Sequence, residues 1–218
     1  MTNHAVVLQN ISKQFHQNSI LEKLNFSIDY HKITTVFGPS GSGKSTLLNI
    51  IGLLDKPSVG TLELFDKPAP RIGTKDARLL MQQRISYLFQ NFALINEQSI
   101  QKNLELVRKQ TGESKTSFNQ RKSSLFSSLN LHMSDKTIVG SLSGGEQQRV
   151  ALTRCLLKPC DLILCDEPTG SLDPVNKLQI FAALQLAKHQ GKTILIVSHD
   201  PDIIRNSDEA IDIRDLMH

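Results

Sequence analysis

The chain has no apolar run approaching the roughly 20 residues that a membrane-spanning helix requires. Its longest greasy stretches, Leu47–Leu54 and Thr193–Val197, have the length of core elements. Met1–Asn10 lacks the basic flank and apolar block of a secretory signal. The expectation is a cytoplasmic protein that reaches the inner face of the cell membrane, if at all, through a partner. Internal repeats, low-complexity tracts and long linkers are absent too. A length of 218 residues then suits one domain, with room for an inserted lobe.

Cysteine is scarce, at three residues: Cys155, Cys160 and Cys165. Their even spacing invites a metal reading, but they fall on a predicted helix, in a turn and in an apolar strand. They are therefore expected to stay apart and to act as small buried hydrophobes in a reducing compartment. A strong excess of one charge is missing as well. The net charge is +4 with a pI near 9.0, and the basic residues are scattered. Arg108–Lys122 is the one notably basic stretch, expected as a solvated helical face. No direct contact with nucleic acid is expected.

What the chain does have is 39% hydrophobic and 21% charged residues, ordinary for a globular protein and enough for a stable core. Short β-leaning runs open it: Ala5–Leu8, Leu24–Ile28 and Ile33–Phe37. A helix-like Ser45–Leu54 follows, then strands at Thr61–Phe65 and Ile85–Phe89. From Phe92 to about Leu131 the pattern turns helical, with Leu104, Val107, Phe118, Leu125, Phe126 and Leu129 at helical spacing. Within it, the serine-rich composition of Thr111–Ser128 suits a helix or a loop equally. A helix after Gly145, strand Leu162–Cys165, helix Val175–His189, and strands Thr193–Val197 and Ala210–Ile213 complete the order. Strand–helix alternation at both ends implies an α/β core, with a helical lobe inserted at about 92–157.

Three motifs carry chemistry. Gly38-Pro39-Ser40-Gly41-Ser42-Gly43-Lys44-Ser45 lies between a predicted strand and a predicted helix. That context lets successive backbone N–H groups and a helix N-terminus surround phosphate oxygens. Lys44 would reach the β- and γ-phosphates, and the Ser45 hydroxyl would ligate Mg²⁺. The second motif is the apolar strand that ends in Asp166 and Glu167. Asp166 is suited to the Mg²⁺ shell, Glu167 to polarising an attacking water. The third is Leu142-Ser143-Gly144-Gly145-Glu146-Gln147-Gln148-Arg149, small residues opening a helix, a second seat for anionic oxygens.

This third segment resembles the signature of ATP-binding-cassette (ABC) proteins. The resemblance implies a P-loop NTPase core with an N-terminal antiparallel β subdomain and an inserted α-helical subdomain. It implies ATP and Mg²⁺ as cofactors. It also implies a head-to-tail homodimer formed through ATP, with Ser143, Gly144, Gly145 and Gln148 facing nucleotide held by the other copy. By the same resemblance Phe15 stacks on adenine, where Tyr is common, and Thr46 joins the phosphate loop. Gln90 senses Mg²⁺ and connects to a transmembrane permease, and Ser171-Leu172-Asp173 crosses the dimer interface. His199 contacts the γ-phosphate.

Finer similarity lies in Gly52-Leu53-Leu54-Asp55, Phe89-Gln90-Asn91-Phe92 and Asp166–Asp173. It is to the branch of macrolide-export, lipoprotein-release, cell-division and bacteriocin-export ATPases. That implies export of a peptide, bacteriocin or drug-like substrate, or a mechanotransmitting role that moves no cargo. Thr46–Ser141 has room only for the ordinary helical lobe, which disfavours soluble relatives that act on DNA or ribosomes.

Overall fold

The computed structural model describes residues 4–16, 18–170 and 172–217. Alternating apolar residues form β1 (His4–Phe15) and β2 (Asn18–Asp29), longer than the sequence runs suggest. The central strand β3 (Ile33–Phe37) leads to α1 (Lys44–Ile51), which ends at Gly52, short of the predicted Leu54. Next come β4 (Val59–Leu64), the two-residue β5 (Lys67–Pro68), α2 (Lys75–Gln83) and β6 (Ile85–Leu88). The sequence reading omitted α2; its marker was Thr74, whose side chain caps it by accepting from Ala77 N–H.

Three helices separate β6 from the next strand: α3 (Ile100–Thr111), α4 (Lys115–Ser128) and α5 (Gly144–Leu157). Gly112, in the left-handed region (φ 68), closes α3, and Ser114 caps α4. Most of the ambiguous 111–128 stretch is therefore helix. The basic run is not simply a solvated face. Lys122 is buried and paired with Asp135, while Arg108 and Arg121 pair with Glu105 and Glu113. The chain ends through β7 (Leu162–Asp166), α6 (Pro174–His189), β8 (Thr193–Val197), α7 (Pro201–Asn206) and β9 (Glu209–Asp212). The last strand starts and stops one residue before the predicted one.

Two sheets result, an antiparallel one in the order β2-β1-β4-β5 and a parallel one in the order β6-β7-β8-β3-β9. Strands β7 and β8 are buried along their whole length, as expected of parallel strands covered on both faces. Their side chains alternate between two apolar clusters. Leu162, Leu164, Leu195 and Val197 pack with α1 and the antiparallel sheet; Ile163, Cys165, Ile194 and Ile196 pack with α3 to α6. Leu47, Leu48, Ile50 and Ile51 of α1 are fully buried. Each such side chain is worth about 1.5–3 kcal/mol of transfer free energy, so α1 is held firmly on the sheet.

All three cysteines lie in the second cluster, each a free thiol buried among apolar side chains. Burial pushes the Cys160 thiol up to about 12, helped by the nearby Cys155, and raises Cys155 and Cys165 as well. These are unreactive protonated side chains.

Candidate active site

In an open parallel sheet, ligands bind beyond the carboxyl ends of the strands, and the phosphate loop, Gln90, the Asp166–Glu167 pair and His199 all emerge there. Gly38 to Gly43 leave β3, Gln90 follows β6, Asp166 and Glu167 end β7, and His199 follows β8. Gly43 sits at φ 92, and a Cβ on it would lie 2.7 Å from Leu21 Cδ2 and 3.0 Å from the Ile20 carbonyl. Only glycine fits this turn. It stands at the N-cap of α1 with no side-chain cap, so that helix start presents N–H groups to whatever lies above it. Lys44 Nζ donates to the carbonyls of Gly38 (3.0 Å) and Pro39 (2.7 Å), which orients the ammonium along the loop. Ser42 supports the turn through its N–H to the Pro39 carbonyl.

The two carboxylates have different environments. Asp166 is buried and accepts from Ser45 Oγ at 3.1 Å. Burial raises its pKa; the Ser45 bond opposes that, the neighbouring Glu167 charge adds to it, and Lys44 lowers it again. Ser45, Asp166 and Gln90 all line one cavity and offer only oxygen and amide groups, a donor set suited to Mg²⁺. Among the described residues no group of three or more His, Cys, Asp or Glu could hold a metal alone.

Glu167 adopts φ 48, a conformation costing a non-glycine residue about 1–3 kcal/mol. Its N–H bonds the Val197 carbonyl at 2.9 Å, fixing the turn to β8. Its Oε1 pairs with His199 Nδ1 at 2.8 Å, and its Oε2 accepts from Ser198 Oγ at 3.2 Å. A carboxylate held by two partners beside the phosphate loop can orient and deprotonate a water.

A cavity of about 690 Å³ joins these groups. Phe15, Gly38, Pro39, Ser40, Gly41, Gly43, Lys44, Ser45, Thr46, Gln90, Asp166, Glu167 and His199 line it. Ser143, Gly144, Gly145, Gln148 and Asp173 do not. Ser143 caps α5 in a capping box with Glu146, and Asp173 caps α6 by accepting from Val175 and Asn176 N–H. These two helix starts are neighbours, tied by Arg149 to Asn176, and a Cβ on Gly145 would meet Leu172. The Gln148 side chain is buried, with the amide nitrogen unpartnered by any protein group. Ser171 lies outside the described residues.

The sequence reading missed Ser198 and Asp200. Asp200 is buried, accepts from Thr169 Oγ1 and pairs with Lys177, while its N–H donates to Ser198 Oγ. Its signal was present: an Asp directly before Pro201 marks a helix N-cap. Ile20, which also lines the cavity, left no signal.

A phosphate loop, an acidic strand end and a histidine just beyond β8 around one cavity define a P-loop NTPase. The model of the family "ABC transporter" matches residues 21–170, and the chain belongs to that family. The dimeric post-hydrolysis state of the ATP-binding cassette MJ0796, bound to ADP and Pi, matches with a TM-score of 0.87 and 31% identity, over 95% of this chain and 93% of that one. The macrolide export ATP-binding/permease protein MacB of Campylobacter jejuni is 35% identical over 210 residues, 96% of this chain and 33% of the relative. MacB of Agrobacterium fabrum is 31% identical, over 99% and 34%. The chain thus spans about a third of the length of these curated relatives. It has the mixed α/β fold of an ABC ATPase. Among the described residues no helix is long and apolar enough to cross a membrane.

Proposed function

We propose that the chain binds MgATP in the cavity between Lys44 and Glu167 and hydrolyses it as a head-to-tail pair of copies driving a membrane permease. The observation that carries this is the join of the phosphate loop to the Glu167–His199 pair in one cavity. Lys44 and the loop N–H groups bind the β- and γ-phosphates, Phe15 stacks on the base, and Ser45, Gln90 and Asp166 hold Mg²⁺. When bound, that ion would supply charge neutralisation at the phosphates. Glu167 takes a proton from the attacking water. His199 and Ser198 fix the carboxylate for that step, and His199 also reaches the γ-phosphate. Ser143, Gly144 and Gly145 of one copy close over the nucleotide of the other, and Asp173 lies at the join. Gln148 acts there only if its buried amide is uncovered.

The helices between β6 and β7, residues about 92–157, form the lobe that moves with Gln90 against a permease at the inner face of the cell membrane. The permease reading rests on relatives named as ATP-binding/permease proteins. Export of a peptide, bacteriocin or drug-like substrate rests on the branch resemblance of Gly52–Asp55 and Phe89–Phe92 and, for the drug-like class, on relatives named for macrolide export. Glu167→Gln, tagged and recovered from native membranes with ATP and Mg²⁺, is expected to retain a few-helix membrane protein. Recovery of only soluble proteins or nucleic acid would remove the permease reading and leave the ATPase chemistry.

A further inference from the structure

Phe15 is 46% exposed, the last residue of β1, and lines the nucleotide cavity. Two residues earlier, Lys13 is only 7% exposed. Burying an ammonium is costly unless its donors are satisfied, and those of Lys13 are. Nζ donates to Asp55 Oδ1 at 2.7 Å and to the Lys56 carbonyl at 2.8 Å, and it stands 4.7 Å from the centroid of the Phe15 ring. Two hydrogen bonds and one π face account for the three N–H groups of a lysine.

The backbone aims it there. The β1–β2 pairing shifts register on both sides of Lys13, and such irregularities re-aim side chains. The receiving turn is equally fixed. Beyond α1, the N–H groups of Leu54 and Asp55 both bond the Asn49 carbonyl, and Leu53 is left-handed at φ 58. Asp55 therefore rides on the same helix that carries the phosphate loop at its other end.

We propose that Lys13 is a positioning residue for nucleotide recognition. It clamps the Phe15 ring to the turn after α1 and thereby sets the base platform at a fixed distance from the phosphate loop. The ammonium also draws electron density towards its side of the ring, which strengthens stacking of a purine on the ring. The ligand class is a purine nucleoside triphosphate, and the contribution belongs to the base, not to the phosphates. This inference rests on the reading that Phe15 stacks on adenine.

The test compares ATP with inorganic tripolyphosphate, which has no base, as competing ligands of the full chain. Lys13→Met keeps the aliphatic stem and is expected to weaken ATP roughly three- to tenfold, with tripolyphosphate affinity unmoved. Asp55→Asn, which loosens the clamp without removing the cation, is expected to fall between wild type and Lys13→Met. Lys13→Arg is expected to restore ATP affinity, because a guanidinium also serves as donor and stacks on rings. Equal losses for both ligands in Lys13→Met, or no loss for either, would overturn the inference. Phe15→Ala separates the two levels. If it lowers ATP affinity alone while Lys13→Met does not, the platform stands and the clamp falls. If it leaves the ATP-to-tripolyphosphate ratio unchanged, the platform reading itself falls and takes the clamp with it.

Discussion

The two helix starts that the sequence marks as seats for anionic oxygens, those of α1 and α5, are finished differently. At α1 the N-cap is Gly43, left-handed and without any side-chain cap, set in a cavity lined by the catalytic groups. At α5 the N-cap is Ser143, whose hydroxyl accepts from Glu146 N–H, while Glu146 accepts from both the N–H and the hydroxyl of Ser143 at 2.8 Å. Those bonds hold the Glu146 carboxyl below its ordinary range. The first start has no side-chain partner for its donors; at the second, the capping box satisfies the N–H groups of Ser143 and Glu146, and its residues do not line the cavity. In our reading, the second start meets nucleotide held by a second copy.

The largest effect expected from breaking this arrangement is at the chemistry itself. Glu167→Gln should lose about 10²–10⁴-fold in ATP hydrolysis, the usual worth of a general base. It should keep ATP binding and accumulate as a dimer, measured by turnover and by light scattering with ATP; near-normal turnover would refute the role given to Glu167. Gly43→Ala attacks the uncapped start. The methyl group meets Leu21 and Ile20 in a left-handed backbone, and a loss of roughly 2–4 kcal/mol of stability together with nucleotide binding is expected. Thermal unfolding with and without ATP reads both.

Ser143→Ala attacks the self-capped start and is expected to cost only about 1 kcal/mol of stability. ATP binding to the monomer should survive, while dimer-dependent turnover falls, so the two glycine- and serine-led starts would separate in one pair of variants. The smallest effect concerns Asp212, which neighbours the loop through Gly38. Arg214 bonds, by side chain and then backbone, lower its pKa from 3.8 to about 2. A depressed carboxylate stabilises the fold fully above about pH 4 and loses that contribution as pH falls through 2. Asp212→Asn should flatten acid unfolding in that window by about 1 kcal/mol or less, since the pair is near solvent.

Much of the site was legible because it depends on local chain geometry. The phosphate loop, the Asp166–Glu167 strand end and His199 each sit next to an apolar strand whose burial makes the run unmistakable. Legibility failed where the third dimension decides. Strand lengths in the antiparallel sheet were underestimated because β1 changes register after Leu8, which interrupts its alternation. The burial of Gln148 has no sequence mark, because the inner face of a helix cannot be assigned without its neighbours. The clasp of Lys13 on Asp55, 42 residues away, is a product of topology alone.

The shared site is tested most directly by turnover per chain across a dilution series of the isolated protein at saturating ATP and Mg²⁺. Turnover per chain should rise with protein concentration and level off once pairs predominate. A value that stays flat from the most dilute sample upward, with the protein monomeric throughout, would contradict a site completed by a second copy.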